Sequence, residues 1–171
     1  DHPYVKNHPE WFHKRPDGSI KYAENPPKKY EDVYPLNFYP EKDKDMEALW
    51  QELKSIVDFW IANGANIFRV DNPHGKPFRF WQWLIDEIHA THPEVIFLSE
   101  AFADPKKMRI LAKAGFQLSY TYWPWKNAKE EVKLFIGDKN EGVLTPETKD
   151  YLRGIGYINT ADILPDFLNG K

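Results

Sequence analysis

Two acidic residues close two apolar runs in this chain: Asn66-Ile67-Phe68-Arg69-Val70-Asp71 and Val95-Ile96-Phe97-Leu98-Ser99-Glu100. In a parallel α/β sheet the carboxyl ends of the strands form the reaction face, so an acid at such a strand tip is well placed for chemistry. One βα unit separates the two, which puts Asp71 and Glu100 on neighbouring strands at the same rim. Paired carboxylates there can perform nucleophilic and acid/base work on an acetal. For a single strand-end acid the plainer reading is a cap on the following loop; two on successive strands leave both readings open. Arg69 lies two residues before Asp71, so both side chains face the same way. An arginine inside a barrel mouth needs a carboxylate partner. Asp71 is the expected one, kept ionised and oriented by the guanidinium as a nucleophile requires, although a purely structural ion pair satisfies the same spacing. Asn72 and His74 follow just past the rim, within reach of sugar hydroxyls. A lone loop histidine is more often only a polar loop residue.

The elements that must hold these groups are legible in the pattern of apolar residues. Met46, Leu49, Trp50, Leu53, Ile56, Val57 and Trp60 repeat at three and four, the stripe of an amphipathic helix, and Asn63-Gly64 ends it. The run to Asp71 reads as a strand, and Phe78–His92 as a second helix carrying Phe80, Trp81, Leu84, Ile85 and Ile88. Val95–Glu100 is a second strand. Asp104-Pro105 opens a third helix, a cap followed by an N1 proline, that stops near Gly115. Residues 116–122 read as a third strand, 127–136 as a fourth helix and 156–160 as a weaker fourth strand. Strand and helix alternating every 25–30 residues or so means βα units on a parallel sheet. Strands apolar along most of their length predict a sheet covered on both faces. Before Lys44 no period is sustained. Pro16-Asp17-Gly18-Ser19 is a turn signal, Ser19–Ala23 a candidate strand, and Pro26-Pro27 a break. Residues 1–42 therefore read as a loop-rich insertion and residues 43–171 as the βα part.

The 171 residues are 42% hydrophobic and 16% aromatic, with Trp 7, Tyr 9 and Phe 11, so disorder is not expected. Aromatic-rich clefts suit sugars, whose C–H faces stack on rings while their hydroxyls seek polar partners. The formal net charge is −3, and no basic stripe supports nucleic-acid binding. Without cysteine there are no disulfides, thiolate metal sites or cysteine nucleophiles. No metal-ligand cluster is visible, and no apolar run approaches the roughly 18 residues of a membrane span. No Gly-x-Gly-x-x-Gly or Walker-type loop follows a strand, which argues against nucleotide binding. An open doubly wound sheet and a (β/α)8 barrel are not separable on this pattern alone.

Phe68-Arg69-Val70-Asp71-Asn72-Pro73-His74 resembles the nucleophile segment of glycoside hydrolase family 13, the α-amylase superfamily, and Leu98-Ser99-Glu100-Ala101-Phe102 its acid/base segment. Asp1-His2-Pro3, His8-Pro9-Glu10-Trp11-Phe12, Ala23–Tyr30 and Asn159–Leu164 are similar to one subfamily in particular, the α-1,4-glucan:maltose-1-phosphate maltosyltransferases. The resemblance implies a (β/α)8 TIM barrel, of which this chain carries about strands 4 to 7. It also implies a retaining transfer of maltosyl units from α-maltose 1-phosphate to an α-1,4-glucan, with no cofactor. Asp71 would be the nucleophile, Glu100 the acid/base, and Asp162 the third carboxylate on the sugar hydroxyls. Asn25, Lys28 and Tyr30 match donor-site positions; from sequence alone Lys28-Lys29 would read as a solvated loop pair. A cytoplasmic enzyme of glucan synthesis is the implied setting, with no membrane and no nucleic acid.

A complete barrel of this kind needs roughly 250 residues. The expectation is therefore half a barrel, from a processed or excised chain that starts at Asp1. Cut edges would expose backbone donors, so the isolated chain is expected to associate as a homo-oligomer or to be inactive alone. Two alternatives stand beside transfer: an α-glucan hydrolase using the same acids, and a non-catalytic carbohydrate-binding fragment.

Overall fold

In a computed structural model the chain divides into two compact units, Asp1–Phe59 and Trp60–Lys171. The structure describes residues 2–138, 142–143 and 145–157.

The first unit opens with a short helix α1, Pro3–Asn7, which the sequence pattern had not suggested. It forms because Pro3 presets the first helical φ and the His2 ring accepts the Tyr4 amide at 3.2 Å. Trp11, stacked on His8 with ring centroids 3.8 Å apart, is buried, as are Phe12, Leu49 and Trp50. The Asn37 amide donates to the Trp11 carbonyl at 2.7 Å, and the Trp50 indole N–H to the Phe38 carbonyl at 3.1 Å. These bonds tie an otherwise irregular segment to its own small core. The expected strand at 19–23 is replaced by an isolated bridge between Lys14 and Ile20, and by a hairpin of β1 (Ala23–Asn25) and β2 (Lys28–Tyr30). Pro26-Pro27 does not merely break the chain. It supplies the two-residue turn, pairing Asn25 with Lys28. Helix α2, Asp43–Ala62, follows with Asp43 and Asp45 in its first turn, where acids favour the helix dipole.

The second unit is built from βα repeats. Strands β3 (Ile67–Asp71), β4 (Ile96–Glu100), β5 (Leu118–Tyr120) and β6 (Gly154–Ile155) form one parallel sheet in chain order. Helices α3 (Phe78–His89), α4 (Pro105–Lys113) and α5 (Lys129–Gly137) alternate with them. The expected fourth strand at 156–160 is corrected to Gly154–Ile155. Gly156 and Tyr157 are not strand, and residues 158–160 lie outside the described residues.

The two faces of the sheet differ. On one, Phe97, Ser99 and Ser119 are buried, and Phe80, Trp81, Leu84, Ile85 and Ile88 of α3 form the apolar layer of the same unit. Trp81 meets Phe116 edge-on at 5.6 Å, and Phe68 stacks on Phe97 at 5.6 Å. Burying side chains of this size contributes about 1.5–3 kcal/mol each. On the other face Ile67 is 56% exposed, and Arg69, Leu98, Glu100 and Tyr120 keep partial access. The expectation of a sheet covered on both faces is thus not met along this face among the described residues. The candidate side chains Arg69 and Glu100 lie on this more exposed face.

Two residues fix the ends of α4, between β4 and β5. Asp104 accepts the Lys107 amide at 3.0 Å with Pro105 at the first helical position, as its sequence signalled. Gly115 ends the same helix at φ +111, and a Cβ there would stand 2.6 Å from Ile85 Cγ2. Only glycine meets both demands.

Candidate active site

Strands β3 and β4 pair in parallel so that Asp71 stands directly opposite Glu100 and Arg69 opposite Leu98. In-register neighbours on adjacent strands point to the same side of the sheet, so both acids and the arginine share the open face. The register continues from Leu98–Leu118 and Ser99–Ser119 to bring Tyr120 of β5 alongside Glu100. Below this rim, Ser99 donates to Ser119 across the strands at 2.8 Å in a fully buried contact, and Ser119 in turn donates to the Tyr120 carbonyl at 2.9 Å.

Arg69 lies between the acids but leans on one. Its Nη2 is 3.1 Å from Glu100 Oε1, whereas Nη1 is 3.9 Å from Asp71 Oδ1. The guanidinium also lies 5.4 Å from the Tyr120 ring centroid, a cation–π contact that holds its plane. The expected order of preference, with Asp71 as principal partner, is therefore reversed. Parity along one strand put Arg69 and Asp71 on one face, but only the neighbouring strand brings Glu100 closer.

Glu100 is held from a second direction by the Asn72 backbone N–H, which donates to Oε2 at 3.2 Å. Its side chain is only 12% exposed. Burial raises its pKa above the usual carboxylate range, against the lowering by the Asn72 amide and Arg69; the neighbouring Asp71 carboxyl pushes it further up. Asp71 is open, its side chain 75% exposed. One acid is thus biased toward its protonated form by enclosure, while the other faces solvent. This is the division that acid/base and nucleophilic roles demand.

The turn after β3 is tightly made. Asn72 adopts a left-handed backbone (φ 45, ψ 52), which asparagine tolerates better than most residues. Pro73 is buried, and its carbonyl accepts the Trp81 indole N–H at 2.9 Å. His74 turns one ring nitrogen inward: Nδ1 is buried without a hydrogen-bond partner among the described residues, and burial, with Lys107 and Lys76 nearby, lowers its pKa. Lys76 donates to the Asp71 and Asn72 carbonyls at 3.1 and 2.9 Å.

Tyr157 completes the described rim. Its hydroxyl donates to the Thr121 carbonyl at 2.9 Å, and its ring lies 5.3 Å from that of Tyr120. Burial, then the charge of Glu100, pushes its pKa well up, so it stays a phenol.

Asp71, Glu100, Arg69 and Asn72 are thus brought together, with His74 in the adjoining turn. Asn25, Lys28 and Tyr30 gather on the β1–β2 hairpin of the first unit, where Lys28 and Tyr30 are exposed and the Lys28 ammonium is 6.0 Å from the Tyr30 ring centroid. Asp162 lies outside the described residues. Lys76, Tyr120 and Tyr157 had not been singled out. Lys76 had a faint signal, a cation five residues after a strand-end acid; Tyr120 had its place at a strand end; Tyr157 had none. No group of three or more His, Cys, Asp or Glu able to hold a metal occurs among the described residues.

The parallel βα sheet is shared by solved α-amylase structures. An α-amylase from Lactobacillus plantarum superposes with a TM-score of 0.55 at 21% identity, covering 78% of this chain and 34% of that one. A maltogenic α-amylase from Thermotoga neapolitana gives 0.53 at 20% identity, covering 86% and 30%. The fold is a partial (β/α)8 barrel. No family model matches the chain. Among curated proteins it is 53% identical over 168 residues to the α-1,4-glucan:maltose-1-phosphate maltosyltransferase of Myxococcus xanthus, covering 98% of this chain and 24% of that protein. The enzymes of the same name from Salinibacter ruber and Picrophilus torridus are each 52% identical, over 168 and 164 residues. The chain spans about a quarter of the length of these relatives. Over nearly its whole length the chain is similar to one segment of the α-1,4-glucan:maltose-1-phosphate maltosyltransferases.

Proposed function

We propose that the protein carrying this segment transfers maltosyl units from α-maltose 1-phosphate to an α-1,4-glucan with retention of configuration. The observation that carries the reading is the register pairing of Asp71 with Glu100, one exposed and one enclosed, around Arg69. Retaining enzymes set their two carboxyls about 5 Å apart, against roughly 6.5–9.5 Å in inverting ones, and acids on directly opposed residues of adjacent strands suit the shorter span.

Asp71 attacks the anomeric carbon, forming the Asp71–maltosyl bond as the bond to the phosphate oxygen breaks. Glu100 protonates the departing phosphate where needed, then removes the proton of the acceptor hydroxyl as that oxygen displaces Asp71. Phosphate already leaves well, so Glu100 matters most in the second step. Arg69 and the Asn72 amide hold Glu100 in place, and Asn72 and His74 are assigned to the sugar. Asn25, Lys28 and Tyr30 are assigned to the donor, lysine and tyrosine suiting a phosphorylated sugar, and Asp162 to the hydroxyls beside the reacting carbon. A cytoplasmic setting belongs to the same reading, because a charged sugar phosphate donor suits an enzyme inside the cell. No helix among the described residues is long and apolar enough to cross a membrane. The outer edge of β3, unpaired in the sheet among the described residues, is the surface we assign to pairing of isolated copies as a homo-oligomer.

The test is a slow-turnover fluorinated maltosyl donor with the intact protein, followed by peptide mass spectrometry. A maltosyl adduct on Asp71, together with phosphate release and lengthening of a glucan acceptor by the unmodified donor, is expected. An adduct on any other residue overturns the assignment.

A further inference from the structure

Lys76 makes contacts that a loop lysine ordinarily does not. The residue is partly buried, and both hydrogen-bond partners of its ammonium are carbonyl oxygens of consecutive residues, Asp71 at 3.1 Å and Asn72 at 2.9 Å. In an extended strand successive carbonyls point to opposite sides. Here one cation reaches both because Asn72 has swung into the left-handed region. The same swing presents the Asn72 N–H to Glu100 Oε2. The remaining bonds of the turn converge on it: the Gly75 amide donates to the Asn72 carbonyl at 3.2 Å, and the Lys76 amide to the Pro73 carbonyl at 3.1 Å.

We propose that Lys76 is a positioning residue for transfer: by tying the Asp71 and Asn72 carbonyls to one ammonium, it holds the turn that keeps the Asn72 amide on Glu100. The proposal rests on the reading of Asp71 and Glu100 as the reacting pair. A left-handed non-glycine residue costs of order 1–3 kcal/mol and persists only when its surroundings impose it. A doubly bonded cation at the site of that cost is such a constraint. Burial lowers the Lys76 pKa while Asp71 and Glu100 pull it up, so this ammonium lies within electrical reach of both acids. Losing it would remove a positive charge and loosen an amide donor together, and both changes disfavour the ionised form of Glu100. The charged and titratable groups facing Glu100 among the described residues are Arg69 and Asp71 on β3, Lys76 in the turn, Tyr120 on β5 and Tyr157 after β6.

The experiment compares Lys76→Met and Lys76→Arg with the unaltered intact protein, by transfer kinetics across pH and by carboxyl-carbon NMR titration of Glu100. Lys76→Met should lower kcat about 10- to 100-fold, the scale of a small misplacement of reacting groups, with donor KM changed by no more than about twofold. The Glu100 midpoint should move up, and Lys76→Arg should recover most of both. If Lys76→Met does not fold, Lys76→Gln, which keeps an amide donor without the charge, is read by the same criteria. Wild-type kcat together with an unmoved Glu100 midpoint overturns the proposal. An unaltered protein that transfers no maltosyl unit overturns the reaction instead, and the NMR comparison still decides the role of Lys76.

Discussion

Asp71 and Glu100 are register partners on adjacent strands, yet their side chains are 75% and 12% exposed. The difference arises within a single layer, since Glu100 is flanked by β3 and β5 while Asp71 stands on the outermost described strand of its sheet. Glu100→Gln should therefore lower transfer by about 10²–10⁴-fold, the usual worth of a positioned acid/base. Asp71→Ala should prevent covalent adduct formation altogether. Steady-state rates and adduct mass spectra on the two variants separate these effects, and equal adduct yields would contradict the assignment.

The raised pKa of Glu100 sets a direction with pH. Its folded value lies above that of the unfolded chain because burial disfavours the charge. The fold therefore favours the protonated form, and that contribution is fully present below the unfolded pKa and lost as pH rises through the folded one. The acid role is lost over the same interval. The alkaline limb of kcat/KM should accordingly lie above the ordinary glutamate value of about 4.3, and Glu100→Gln should abolish it.

Arg69→Met removes the cation 3.1 Å from Glu100. The Glu100 pKa should rise further and the alkaline limb should move up with it, by up to about 1–3 pH units. Arg69→Lys should restore only part of this shift, because a single ammonium cannot reproduce the planar fork shared between two carboxylates and laid on Tyr120. A pH profile unchanged in Arg69→Met would refute the pairing.

His74 should make the protein acid-sensitive. Burial lowers its folded pKa, with the nearby lysines adding to the effect. As pH falls through the unfolded value near 6.5, the unfolded chain takes up a proton that the folded ring resists, and stability declines. His74→Gln should flatten the thermal midpoint between about pH 7 and 5 relative to the unaltered chain. Parallel curves would show that the ring protonates freely in the fold.

Gly115→Ala should destabilise the second unit by about 2–4 kcal/mol, combining a disallowed φ with overpacking against Ile85. Gly18→Ala is the control. It shares a positive φ, +83, but a Cβ would meet nothing within 4 Å, so only the backbone cost of about 1 kcal/mol remains. Urea midpoints of the two variants should differ accordingly.

The sequence carried the site further than it carried the local structure of the first unit. Asp71 and Glu100 were legible because each ends an apolar run, and Arg69 because strand parity needs no tertiary knowledge. Its preference for Glu100 was not legible, since the distance between neighbouring strands is not written in either one. The hairpin at 23–30 was missed for a different reason. Pro26-Pro27 punctuates a chain as well as it turns one, and only the pairing of Asn25 with Lys28 distinguishes the two. Strand β6 was placed two residues late because Gly154-Ile155-Gly156 offers almost no apolar signal. Lys76 was passed over because lysines in loops are usually solvated.

The pairing of β3 with β4 is an all-or-nothing property. Side chains alternate sides at every residue, so sliding either strand by a single position would turn its acid toward the helix layer and put its strand neighbour, Val70 or Ser99, in its place. No intermediate offset exists that would leave the two groups merely a little apart. Substitutions that erode the apolar layer of Phe68, Phe97 and Phe116 can thus abolish chemistry without touching an acid, and they should do so abruptly.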